Sequence, residues 1–243
     1  MLQSRRQVLR IIGASGLATL GGVASADNTT TTEGDIAQVR VIHAIPDAPA
    51  VDVFVDGNRV LEGVEFKDIS DYLELDPGEY TFAVAPAGEG RESAVLEQQA
   101  TLEADTAYTV AAGGRLDSPE AFIFIDETEA PSGDQVRLRA VHLAPDAPAV
   151  DIAADGDVLV EGLEFGSASD YLDVPAGSYT LEVRPAGQDE AVATFDVTLE
   201  GGTVVSAFAV GLLEPDEDAQ AFDLVTTADA GGQEEMTTTT TTA

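Results

Sequence analysis

The sequence predicts an all-β protein built as two tandem immunoglobulin-like antiparallel β-sandwich domains. Three observations carry that prediction. The first is an internal repeat. The stretch His43-Ala44-Ile45-Pro46-Asp47-Ala48-Pro49-Ala50-Val51-Asp52 returns as His142-Leu143-Ala144-Pro145-Asp146-Ala147-Pro148-Ala149-Val150-Asp151, and the match runs without a gap from Arg40/Arg139 to Gly88/Gly187. A repeat this long means two copies of one domain. The second is a succession of about seven short apolar segments per copy, each bounded by Gly, Pro or Asp, as sandwich strands are. The third is Leu75-Asp76-Pro77-Gly78-Glu79-Tyr80, which is similar to the corner at which a tyrosine hydroxyl pins a crossover between sheets.

Within the first copy, Val39–His43 reads as a strand leading into a Pro-rich turn. Val51, Val53 and Val55 alternate with Asp52, Phe54 and Asp56, the period-two pattern of a half-buried strand. Asp56-Gly57-Asn58 supplies a tight turn, because glycine tolerates positive φ. Further strands are expected over 69–75, 79–85, 94–102, 107–112 and 121–125. Pro86-Ala87-Gly88 opens a hairpin loop that is two residues shorter in the second copy, so Thr101-Leu102-Glu103 aligns with Thr198-Leu199-Glu200. A loop facing water tolerates such a change. In the second copy the corner reads Val174-Pro175-Ala176-Gly177-Ser178-Tyr179, with its proline displaced.

The flanks have other compositions. Arg5 and Arg6 lie before an apolar stretch from Ile11 to Val23, and Ala24-Ser25-Ala26 follows. That order is a charged region, a short apolar region and a small-residue cleavage site, and the paired arginines resemble a twin-arginine export signal. Residues 1–26 are therefore expected to be a signal peptide cleaved after Ala26, with retention as an anchor as the alternative. Residues 27–36 and 229–243 are Thr-rich and are expected to be disordered spacers. Asn28 begins a possible N-glycosylation sequon, Asn28-Thr29-Thr30. The domains are placed at 37–129 and 136–228, joined by a linker at 130–135 that lacks an apolar pattern.

Bulk composition narrows the function. A formal net charge of −34, with 45 acidic residues against 11 basic ones, argues against nucleic acid or anionic lipid as a partner. Acids scattered at this density suit concentrated salt, where like charges hardly repel; calcium loading is the competing reading. There is no cysteine, so disulfides, thiolate metal sites and cysteine nucleophiles are excluded. After the signal, no apolar run approaches the length of a membrane-spanning helix.

The sharpest candidate site is the trio His43, Asp47 and Asp52, mirrored by His142, Asp146 and Asp151. These are the chain's two histidines, and imidazole with carboxylates could take a divalent metal or small ligand. The same residues also have a structural reading: Asp47 capping a turn, Asp52 on the solvent face of its strand, His43 bonded to backbone. For catalysis, Ser70-Asp71 and Ser169-Asp170 lack a base within the same strand, and no nucleophile elbow, phosphate loop or zinc helix is present. Tyr72 and Tyr171 are the repeated candidates for stacking a sugar, with packing at a sheet edge and a wet hydroxyl as the alternative.

With the His-x-x-Pro-Asp-Ala-Pro-x-Val-Asp stretch, Asp56-Gly57 and the Tyr80 strand in view, each copy resembles the domain of unknown function 4397 family over nearly all of 37–228. The resemblance implies an exported β-sandwich module, found in tandem in envelope-associated proteins of bacteria and halophilic archaea. It implies no activity and transfers no site residue. The expectation is a non-enzymatic secreted or cell-surface protein, without cofactor, that meets a cell-envelope protein or glycan. The alternative is a divalent-metal or small-ligand binder using the two His/Asp loops.

Overall fold

The computed structural model describes residues 36–230 and 239–241. Arg5, Arg6, Ala26 and Asn28, and the expected signal and spacer around them, lie outside the described residues. In the first repeat the strands are β1 (Ala37–His43), β2 (Val51–Val55), β3 (Asn58–Val64), β4 (Leu73–Leu75), β5 (Gly78–Pro86), β6 (Leu96–Leu102), β7 (Ala107–Arg115) and β8 (Ser118–Asp126). The second repeat has β9 (Gln135–His142), β10 (Val150–Ala154), β11 (Asp157–Leu163), β12 (Leu172–Pro175), β13 (Gly177–Pro185), β14 (Ala193–Leu199), β15 (Val204–Val210) and β16 (Asp223–Ala230). A short β17 (Thr239–Thr241) pairs with β14.

Each repeat is a sandwich of two four-stranded sheets. The orders are β4-β1-β7-β8 and β3-β2-β5-β6 in the first, and β12-β9-β15-β16 and β11-β10-β13-β14 in the second, where β17 extends the edge. Neighbours are antiparallel except β1 with β7 and β9 with β15, which run parallel. No helix among the described residues is long and apolar enough to cross a membrane.

Side-chain alternation explains the layering. From β1, Val39 and Val41 point between the two sheets of the first repeat, where they meet Val53, Phe82, Val84 and Val110. The second repeat builds the matching core from Val136, Ile152, Val183, Phe195, Val197 and Val205. Each fully buried Val or Phe contributes about 1.5–3 kcal/mol, so each repeat has a core of its own. The opposite face of β1 is also buried. Ile42 and Ala111 pack with Val141, Leu143 and Phe208 of the second repeat. The β4-β1-β7-β8 and β12-β9-β15-β16 sheets are therefore the inner pair, face to face, and the other two are outer sheets.

The structure differs from the sequence expectation in several places. Eight strands form per repeat where about seven were expected, because no strand was expected over β3 and its counterpart β11, after the Asp-Gly turn. The expected strand at 69–75 shrinks to Leu73–Leu75, since the Ser70 hydroxyl takes the Val41 N–H at 2.9 Å in place of a ladder partner. β2 is buried along its whole length: Phe54 packs on its far face with Ala83 and Ala85. The second domain does not stop at 228, because Asp229 and Ala230 complete β16. Thr239–Thr241, expected as tail, form a strand.

Both tyrosine corners form. Tyr80 donates to the Asp76 carbonyl at 2.8 Å and Tyr179 to the Pro175 carbonyl at 2.7 Å, so the displaced proline does not prevent the contact.

Candidate functional site

His43 closes β1 as the chain turns into the Pro-rich loop. Its Nε2 lies 3.2 Å from the Pro49 carbonyl, and its Nδ1 lies 3.4 Å from the Ile45 amide. A carbonyl can only accept, so Nε2 carries the hydrogen and Nδ1 receives the Ile45 N–H. His142 repeats the arrangement with Pro148 at 3.1 Å and Ala144 at 3.3 Å. Both rings are wholly buried, each edge-on to a phenylalanine, Phe66 or Phe165. Burial pushes both imidazoles below their ordinary pKa, against the Pro49 or Pro148 carbonyl and the Asp68 or Asp146 charge. Each histidine is thus a neutral clamp across its loop, with both nitrogens occupied by backbone.

The aspartates are spent in the same way, on other segments. Asp47 accepts the Leu116 N–H at 2.9 Å, tying the Pro-rich loop to the β7–β8 turn. Asp146 accepts the Leu213 and Glu214 amides, each at 3.0 Å. Asp52 accepts Gly63 N–H at 2.9 Å, Gly88 N–H at 3.1 Å and the Arg59 guanidinium at 3.0 Å. It is buried, not on the solvent face as expected, because these donors replace water around its carboxylate. Asp151 accepts Gly187 and Gly162 amides at 2.8 and 2.6 Å, and those bonds hold its pKa below the usual carboxylate range. Each member of a trio therefore bonds a different piece of backbone. No group of three or more His, Cys, Asp or Glu placed to hold a metal ion occurs among the described residues.

Ser70 and Ser169 are likewise engaged. Ser70 accepts from Val41 and donates to the Asp71 carbonyl; Ser169 accepts from Ala140 and donates to the Asp170 carbonyl.

The most highly charged buried cluster lies between the repeats, and sequence reading missed it. Arg40 on β1 bonds Thr109 of its own repeat through Nε at 2.8 Å and pairs with Asp229 of the other repeat. Arg139 on β9 bonds Ser206 through Nε at 2.8 Å and pairs with Asp126 of the first repeat. Tyr72 donates to Asp126 at 2.6 Å and Tyr171 to Asp229 at 2.7 Å. Each guanidinium carbon also lies 4.9 Å from the ring centre of its own repeat's tyrosine. The two halves are related by an approximate two-fold exchange: each arginine crosses to the aspartate of the opposite repeat.

The four charged side chains expose 2% or less of their surface, and they balance in number. Burial works against the Arg40 charge, but Asp229 and Asp126 more than offset it and raise its pKa. Burial pushes the Asp229 carboxyl upward, against the pull of Arg40, Ser206 and Tyr171. Burial also raises both tyrosines and keeps them protonated donors. The expected wet hydroxyls and sugar platforms at Tyr72 and Tyr171 are therefore corrected: both hydroxyls end on buried aspartates.

Arg40 and Arg139 stood in the sequence at the start of the repeat match. Their partners did not stand out, because the loop before β16 is longer than the turn before β8. Asp126 and Asp229 consequently fall off the repeat spacing.

The family model described as domain of unknown function (DUF4397) matches the chain twice, over residues 37–153 and 144–239. No curated protein matches the chain.

Proposed function

The chain belongs to the DUF4397 family in two tandem copies, and from that premise we propose that it is a non-enzymatic module pair exported to the cell surface or medium. There it contacts an envelope protein or glycan. The observation that carries this reading is the use of the repeated polar residues. His43, Asp47, Asp52 and their counterparts hold loops to strands, and Arg40, Arg139, Asp126 and Asp229 hold repeat to repeat. The repeated polar residues are thus engaged in holding each repeat's loops and the joint between the repeats. Partner contact falls to the outer sheets and to the loops that differ between copies, those after Gly88 and Gly187 and those leading into β8 and β16.

The sequence supports the location. Arg5-Arg6, the apolar stretch and Ala24-Ser25-Ala26 have the order of a twin-arginine export signal. A net charge of −34 suits a protein working in concentrated salt, the halophilic setting in which its surface acids are tolerated.

Fractionation of the source cells in their native salt tests the proposal, with N-terminal sequencing of the recovered protein and a pull-down from envelope extract. Recovery outside the cytoplasm, starting at Asp27 and enriching one envelope component, is expected. Recovery in the cytoplasm with Met1 intact overturns it.

A further inference from the structure

The contact between the repeats is two-fold in its charges but not in its shapes. On β8, Phe122 projects into the joint, where it meets Phe165 edge-on at 5.3 Å between ring centres and lies over the turn at Gly166. A Cβ at Gly166 would lie 2.9 Å from Phe122 Cδ1 and Cζ, and nearer still to Cε1. The ring therefore requires glycine there.

The equivalent turn of the first repeat carries Lys67, with φ +78° against +75° at Gly166. Lys67 fits because the strand opposite it, β16, offers Val225 where β8 offers Phe122, as the pairings Phe208↔Val225 and Ala111↔Phe122 show. Its ammonium reaches Asp223 at 2.9 Å. Bulk is also exchanged on the neighbouring strands: Ala111 beside Phe122, against Phe208 beside Val225.

We propose that the inner sheets form a keyed module–module joint. The first repeat's face accepts a second repeat's face, from its own chain or from a second copy of this chain, and rejects its like. Two first repeats would drive Phe122 against the Cβ of Lys67. Two second repeats would set Val225 opposite Gly166 and leave the space of a phenyl ring empty. Both mismatches cost stability: overpacking strains the core, and an unfilled cavity forfeits contacts. The exchanged charges alone would permit either like pairing, since every repeat carries one arginine and one aspartate. Shape supplies the discrimination. This inference stands on the joint alone and is independent of where the protein works.

The test uses the full-length chain in concentrated KCl, read by proteolytic cleavage at Glu127 and Glu129, in the segment between β8 and β9, and by small-angle scattering. Gly166→Lys is expected to open the joint, with linker cleavage at least about tenfold faster and a larger radius of gyration. Adding Phe122→Val in the same chain reproduces the Lys67/Val225 pairing and should restore both readouts. Refolding a mixture of the Gly166→Lys and Phe122→Val single variants should give a 1:1 dimer with exchanged repeats, because only that species matches both joints. Circular dichroism checks that each variant folds. Gly166→Ala, which adds the Cβ alone, should show a smaller opening with the same rescue. A Gly166→Lys chain as closed as the parent overturns the proposal. So does damage that Phe122→Val fails to relieve, which would mark it as local backbone strain. Failure of the mixture to dimerise overturns the acceptance of a second copy.

Discussion

Burial decides what each charged residue can do. Arg40 and Asp229 are both out of water, so removing one partner leaves the other with a desolvated charge. Arg40→Met is expected to cost about 3–5 kcal/mol, whereas the double change Arg40→Met with Asp229→Leu should recover most of it, because apolar groups need no partner. Denaturant unfolding followed by circular dichroism checks both; equal losses in single and double variants would contradict the coupling. The histidines give a pH dependence. Burial places the folded pKa of His43 and His142 below the unfolded value, so the unfolded chain takes up protons first as pH falls. Their stabilisation is full above about pH 6.5 and is lost as pH falls from there towards the folded pKa. Melting temperature between about pH 7.5 and 5 should decline, and the decline should flatten in His43→Gln/His142→Gln. An unchanged slope would show that the rings titrate alike in both states. Sequence alone displayed the His/Asp spacing but not its use. The donors are amides of Ile45, Gly63, Gly88 and Leu116, and an amide has no residue signature.

At the level of elements, the tightest local demand sits at the β2–β3 hairpin. Asp56 and Gly57 adopt φ of +49° and +81°, and Asp155 and Gly156 adopt +50° and +91°. Val55 pairs with Asn58 and Ala154 with Asp157, so each is a two-residue turn with both central residues left-handed, the geometry that follows strand twist. Aspartate tolerates that region better than most residues. Here its carboxylate also accepts the Thr81 or Thr180 amide at 2.9 or 3.0 Å. Asp56→Val should therefore cost about 2–4 kcal/mol, from left-handed strain and the lost bond together. Asp56→Gly should cost less, because only the bond goes. Unfolding free energies of the two variants, ranked the other way, would refute this account. These turns were legible because Asp-Gly announces them, and β2 was legible through its valines. β3 was not: Asn58-Arg59-Val60-Leu61-Glu62-Gly63-Val64 has no clean alternation. Its pairing with β2 is bulged between Val51 and Val53, and the bulge turns the Gly63 amide to Asp52. The end of β16 was illegible because Ala228-Asp229-Ala230 looks like the start of a tail until Arg40 is set against it.

Across the whole molecule, two populations of charge should answer differently to salt. Among the described residues Asp52, Asp126 and Asp229 are the buried acids, and the others lie partly or wholly at the surface against few cations; at about 0.1 M salt their repulsion extends roughly 10 Å, shrinking to about 3 Å at 1 M. The four charges of the joint are inside and paired, where mobile ions do not reach. Raising KCl from about 0.1 to 3 M should therefore lift the melting temperature of the protein substantially, by relieving surface repulsion. The loss caused by Arg40→Met should stay the same within about 0.5 kcal/mol over the same range, the tolerance expected between independent sites. The two effects separate in one set of melting curves recorded for parent and variant at each salt concentration. Parallel curves locate the salt response on the surface and the arginine's contribution in a sealed joint. Converging curves would mean that salt screens the Arg40–Asp229 pair, and so that water enters between the repeats.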